Sequence, residues 1–256
     1  MKTLLAFAAL IATTSAIFAG QSFENIPAPY FARINIASTG VPSTVSVAGG
    51  SIISNQHIVC AASTIHTGNI VLNVHIGGNT RTTQRVFLVQ RSVQHPDYVH
   101  VGRLNNIGLI FLSQTLRFDA TVRPIPLPAI DSDNYPFENM QGQVLGFGGN
   151  ATNAQMQASN ILEGAFVRVT NETRCVGFFQ TNDMNNAFCG EDSIQRSDFC
   201  EQDIGGGFTI QMRGVEVLVG IASVPRCFTN VAAPSLPSLY TRVVPYVAWI
   251  REETGI

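Results

Sequence analysis

Apolar residues in this chain come in short runs rather than long ones. Residues 47–54, 70–76, 85–93, 107–112, 143–148, 166–170 and 215–223 are rich in β-branched and aromatic side chains, and glycine, asparagine or proline bounds them. Such runs predict strands, and many of them at fairly even spacing predict a sandwich or barrel. One stretch breaks the pattern. Residues 244–253 place Val247, Trp249 and Ile250 on one face, with Pro245 suited to a first turn, and predict a C-terminal helix. No internal repeat or low-complexity linker stands out. The pattern predicts one continuous all-β unit closed by a single helix.

The N-terminus is patterned differently. Lys2 supplies a positive charge, residues 4–12 an apolar run, and residues 13–16 small side chains. This predicts a signal peptide over 1–16 and a folded domain over 17–256, with cleavage after Ala19 as the competing choice. No later segment is apolar for long enough to span a bilayer. The expected destination is extracellular, where disulfides form. Cysteines stand at 60, 175, 189, 200 and 227, an odd number, so at least one is unpaired or pairs between chains. Asn150-Ala151-Thr152 and Asn171-Glu172-Thr173 are acceptor sequences for glycosylation.

Composition narrows the class. With 256 residues, 45% of them hydrophobic and 12% charged, the chain can bury a sizeable core. Its formal charge of −2 exerts no bulk pull toward nucleic acid or an anionic membrane. Lys2 is its one lysine, so the cations beyond the signal segment are arginines and histidines. The five histidines lack metal-ligand spacing, and neither a metal nor a cofactor is expected.

A series of short motifs then carries a family resemblance. Residues 48–54 read AGGSIIS, 59–64 VCAAST, 95–98 HPDY, 106–109 NIGL, 122–128 VRPIPLP, 146–148 GFG, 203–206 DIGG and 237–243 PSLYTRV. In order and spacing these resemble the trypsin/chymotrypsin-like serine proteases over nearly the whole chain, and the turns and final helix resemble insect members. The resemblance implies two packed six-stranded antiparallel β-barrels, a C-terminal helix, and a site in the cleft between the barrels.

It also locates the chemistry, which needs a serine nucleophile, a histidine base and an aspartate that orients the base. By position, the histidine is replaced by Ser63, the aspartate by Asn106 and the serine by Ile204. Gln202 replaces the glycine whose N–H helps form the oxyanion hole. Ser223, Val224 and Pro225 stand where the family pairs with substrate backbone, and Pro225 has no N–H to offer. Asp198 falls at the floor of the specificity pocket, and Ser238 replaces a glycine that keeps that pocket open.

What the resemblance implies is retained is mostly scaffold. Cys175–Cys189 and Cys200–Cys227 match two family disulfides. The disulfide beside the catalytic histidine is gone, its ends being Ala48 and Thr64. Cys60 takes the place of a small buried residue and is expected to be a buried free thiol. Ile17 lies where active members begin, and signal cleavage after Ala16 would free its amine to pair with Asp203. The expected function is non-catalytic binding of a protein partner (a protease, an inhibitor or a cascade component), regulating or decoying a cascade in immunity or host haemostasis. The competing expectation is a residual or unconventional hydrolase.

Overall fold

The computed structural model describes residues 20–38, 41–65, 69–129, 136, 138–148, 159–179, 184–191, 198–225 and 237–256. A two-residue strand, β1 (Gln21–Ser22), comes first. The first sheet follows with β2 (Phe31–Ser38), β3 (Val41–Ile52), β4 (His57–Cys60), β5 (Asn69–Ile76), β6 (Arg85–Phe87), β7 (Val89–Gln94) and β8 (Gly108–Leu112). Its order is β6-β5-β2-β3-β4-β8-β7. The two edge strands, β6 and β7, are neighbours in sequence with Leu88 alone between them. The segment 85–94 therefore pairs with β5 at its start and with β8 at its end, and joins the two edges of the sheet.

The second sheet contains β9 (Gln141–Gly146), β10 (Glu163–Val169), β11 (Ala187–Glu191), β12 (Gly207–Met212), β13 (Val215–Val224) and β14 (Ser238–Arg242). The order β10-β11-β14-β13-β12-β9 closes through a β9–β10 pairing, giving a six-stranded barrel onto which β1 adds at β10. The expected all-β antiparallel architecture is present, with one difference: the second sheet closes as a six-stranded barrel, whereas the first is a seven-stranded sheet that curls as a half-barrel rather than a second six-stranded barrel.

The strands read as they do because alternate side chains face alternate ways. In β2, Ala32, Ile34 and Ile36 enter a core shared with Ile52, Ile58, Val74, Ile76 and Cys60. A larger cluster joins the sheets: Phe31, Val59, Leu109 and Phe111 from the first pack with Val144, Phe208, Leu218 and Tyr240 from the second. Tyr240 stacks on Phe188 at 5.1 Å between centroids, and Phe208 meets it edge-on.

The C-terminal helix is present with a tighter start. Val244–Tyr246, with Pro245 in it, forms a 3-10 turn before α2 (Val247–Thr254). Gly255 ends α2 at φ 71°, a left-handed conformation that glycine adopts without strain. The expectation of a single helix needs correction. Glu172–Phe179 forms a helix, α1, which is earlier in the chain than α2. The Asn171 side-chain oxygen accepts the Thr173 N–H at 2.8 Å, and Glu172 sits in the positive first turn. About two turns give too few apolar positions for a helical period to stand out. Tertiary contacts hold it: Cys175, buried within it, is bonded to Cys189 on β11.

Candidate functional site

The first sheet meets the second at a turn that follows a 3-10 segment, Glu201–Asp203. The Gly206 N–H donates to the Asp203 carbonyl at 2.9 Å, closing a four-residue turn. Ile204 has φ −51° and ψ 133°, and Gly205 has φ 91°. These are the angles of a type II turn, whose third residue needs positive φ and so favours glycine. The turn is anchored on both sides. Gly49 on β3 donates to the Ile204 carbonyl, Gly205 donates to Ala222 on β13, and Ala222 donates back to Gly206, each at 2.9 Å. A Cβ on Gly49 would lie 2.6 Å from the Gly206 nitrogen, so the sheets touch backbone to backbone there. A sharp elbow is thus held rigidly, and the side chain it presents is an isoleucine buried at the edge of the main core. Gln202, half-buried, precedes Asp203 in the same 3-10 turn.

Ser63 lies in a 3-10 turn, Ala62–Ile65, whose Ala62 carbonyl accepts from the Gln94 side chain at 2.9 Å. Asn106, 0% exposed, precedes β8. Its Oδ1 accepts the Ser63 N–H at 2.8 Å, and its Nδ2 donates to the Ser223 hydroxyl on β13 at 2.8 Å. A backbone N–H can only donate, so the orientation of the amide follows from chemistry. The Thr241 hydroxyl on β14 donates to the Asn106 carbonyl at 3.2 Å. Asn106 therefore bridges the two sheets with no net charge. A carboxylate in its place would need a counter-charge, since a lone buried ion is strongly destabilising.

Tyr98 is a member of this site that sequence reasoning missed. Burial raises its pKa, while the Arg103 charge and hydrogen bonds with Arg103 and Ser63 pull it back. The phenol oxygen lies 3.2 Å from His100 Nδ1, within hydrogen-bond distance. The HPDY turn marked a bend, and nothing in its spacing pointed toward the cleft.

Asp203 is fully buried beside the elbow. Its Oδ1 accepts the Gly148 N–H at 2.7 Å and its Oδ2 the Cys200 N–H at 3.0 Å. Glycine is required at 146 and 148, where a Cβ would run into this carboxylate. Burial pushes Asp203 up to about 7, with lesser contributions from the Glu163 and Asp198 charges, although both backbone N–H groups oppose the rise. Ile17, expected to pair with it, lies outside the described residues.

Asp198 is also buried, and its carboxylate is occupied by the protein itself. The Ser238 hydroxyl donates to Oδ2, the Tyr240 hydroxyl to Oδ1 at 3.1 Å, and its neighbour Phe199 N–H to Oδ1 at 2.8 Å. Ser238 is 0% exposed, so its side chain stands between β14 and this carboxylate. Pro225 follows β13 half-buried.

Cys60 is a buried free thiol whose pKa burial raises well above the usual range. Cys200 is disulfide-bonded, and Cys227, its expected partner, lies outside the described residues. Asn150 lies outside them too, whereas Asn171 is exposed. Among the described residues no cluster of histidine, cysteine or carboxylate side chains has the geometry of a metal site, and no helix is long and apolar enough to cross a membrane.

Comparison with known proteins identifies the fold and the family. The chain is 31% identical to a trypsin of Phaedon cochleariae, over 81% of this chain and 79% of that protein. It is 28% identical to a collagenase of Hypoderma lineatum, over 100% of this chain and 99% of that one. Cathepsin G of Mus musculus is 25% identical over 92% of this chain and 84% of its own length. The fold matches solved structures of HL collagenase and of GrC, each at a TM-score of 0.76, with 24% and 23% identity and 93% of this chain covered. The family model for trypsin matches residues 17–250, and with that span matched the chain belongs to the trypsin family.

Proposed function

We propose that this chain is a secreted, non-catalytic member of the trypsin family, of the insect type, that acts by binding a protein partner. The observation that carries the reading is Ile204 at the elbow, where a hydrocarbon has no lone pair to attack a carbonyl. The neighbouring groups agree with it. Asn106 is a neutral amide with both ends engaged, Ser63 offers no proton acceptor near neutral pH, and Ser238 and Tyr240 engage the Asp198 carboxylate. The two-sheet scaffold around the elbow is intact, so a protease-like surface is available for recognition by inhibitors, proteases or other cascade components. An apolar leader and a disulfide support secretion.

A fluorophosphonate probe tests the loss of chemistry. The wild-type protein is expected to stay unlabelled at concentrations that label trypsin fully, and stoichiometric labelling would overturn the reading. Immobilised protein tests the binding role. It is expected to retain a protease, an inhibitor or a cascade component from haemolymph or host plasma, and retention of nothing above background overturns that half alone.

A further inference from the structure

Away from the elbow, the second barrel carries an open cavity of about 220 Å³ on the faces of β9, β10, β12 and β13. Its one carboxylate is Glu216, half-buried on β13. Three donors converge on a single oxygen of that carboxylate. The Tyr30 hydroxyl reaches Oε1 at 2.7 Å, the Thr209 hydroxyl at 2.6 Å and the Gln143 amide at 2.5 Å. Gln143 also donates to the Tyr30 hydroxyl at 3.2 Å, so the donors brace one another. Tyr30 and Thr209 are buried, and the Glu216 charge together with burial keeps the Tyr30 phenol protonated.

The second oxygen, Oε2, accepts no hydrogen bond among the described residues, and Glu216 joins no ion pair there. The carboxylate is thus immobilised through one oxygen while the other is left to the cavity. The rest of the lining suits a planar cation. Phe166 is 40% exposed, leaving a ring face available, and Gln141 and Gln211 supply amide oxygens. Guanidinium groups bind aromatic faces, carboxylates and amide carbonyls together, and a carboxylate already held in place loses little freedom on binding.

We propose that this cavity, with Glu216 Oε2 as its anion and Phe166 as its platform, receives an arginine side chain presented by a protein partner. The proposal rests on the binding role inferred above and names a contact for it on a face separate from the elbow.

N-acetyl-arginine amide and its neutral isostere N-acetyl-citrulline amide are the probes, titrated into wild-type protein and followed by the Phe166 and Gln141 NMR signals. The arginine compound is expected to saturate those signals, with the citrulline compound at least tenfold weaker. Glu216→Gln, which keeps an acceptor for the three donors, is expected to abolish the difference. Phe166→Ser, on an exposed ring, is expected to weaken arginine binding about threefold or more without moving the melting temperature. Equal binding of the two amides to wild type, or no saturation by either, overturns the proposal whatever the variants do. A partner captured from haemolymph equally by wild type and Glu216→Gln overturns this contact while leaving the binding role standing.

Discussion

Asn106 and Ser63 meet through the side-chain oxygen of the first and the backbone N–H of the second, 2.8 Å apart, at a buried point where neither residue carries charge. The same amide reaches Ser223 on the other sheet. At the position where the family resemblance implies an anion, this chain has a neutral strut between the two sheets. Asn106→Asp is therefore expected to lower stability by about 3 kcal/mol at pH 7, the range for an uncompensated buried charge. The loss should shrink as pH falls and the new carboxyl protonates. Urea denaturation at pH 7 and pH 4 measures it. Adding Ser63→His should recover part of the loss through a coupling of about 1–3 kcal/mol. A fully stable Asn106→Asp protein would show that the strut is not electrostatically constrained.

Asp203 makes a prediction about pH. Its folded-state pKa, raised to about 7 mainly by burial, exceeds that of an unfolded aspartate. Between those two values the folded state holds more protons than the unfolded one, so its stability falls as pH rises from about 4 to 7. Asp203→Asn should flatten that part of the curve. If the secreted chain begins at Ile17 and its amine pairs with Asp203, the folded pKa drops instead and the descending limb disappears in wild type. Thermal melts across this range, together with N-terminal sequencing, separate the two states.

Cys60 lies fully buried in a strand core, with a thiol pKa raised by desolvation. The thiolate is the reactive form, so native protein should resist iodoacetamide and aromatic disulfide reagents near neutral pH. One thiol per chain should appear on denaturation without reduction. Rapid labelling of the folded protein would contradict the placement of Cys60.

The Asp198 carboxylate is engaged by Ser238 and Tyr240. Ser238→Gly removes one donor from a buried acid and should destabilise by about 1–2 kcal/mol. It should also open space beside the carboxylate. Benzamidine is then expected to raise the melting temperature of the variant and leave that of the wild type unchanged. An equal shift in both proteins would mean that the pocket is already open.

The proposed site was placed in the sequence by small residues. Ala61-Ala62 before Ser63, Gly205-Gly206 after Ile204 and the glycines at 146 and 148 set the register, because backbone close approach and positive φ demand glycine whatever the side-chain chemistry. The strand pattern was legible for the same kind of reason, since alternation and turn residues are local. Helix α1 was not, because about two turns offer little periodicity and its buried face is defined by Cys189, across a turn on β11. Tyr98 was missed because its electrostatic coupling to Arg103 and Ser63 depends on how the HPDY turn folds, which its spacing does not encode.

The sequence by itself determined the family pattern, the all-β class and the identities at 63, 106 and 204, since each is a matter of residue type at a spacing. Tertiary structure decided what these and their neighbouring side chains do. Only the meeting of two sheets makes Asn106 a strut to Ser63 and Ser223, turns Ser238 and Tyr240 onto Asp198, and gathers Tyr30, Gln143 and Thr209 onto one oxygen of Glu216. The reason is physical: Tyr30 and Glu216 are 186 residues apart along the chain, and a hydrogen bond of 2.7 Å depends on separation in space.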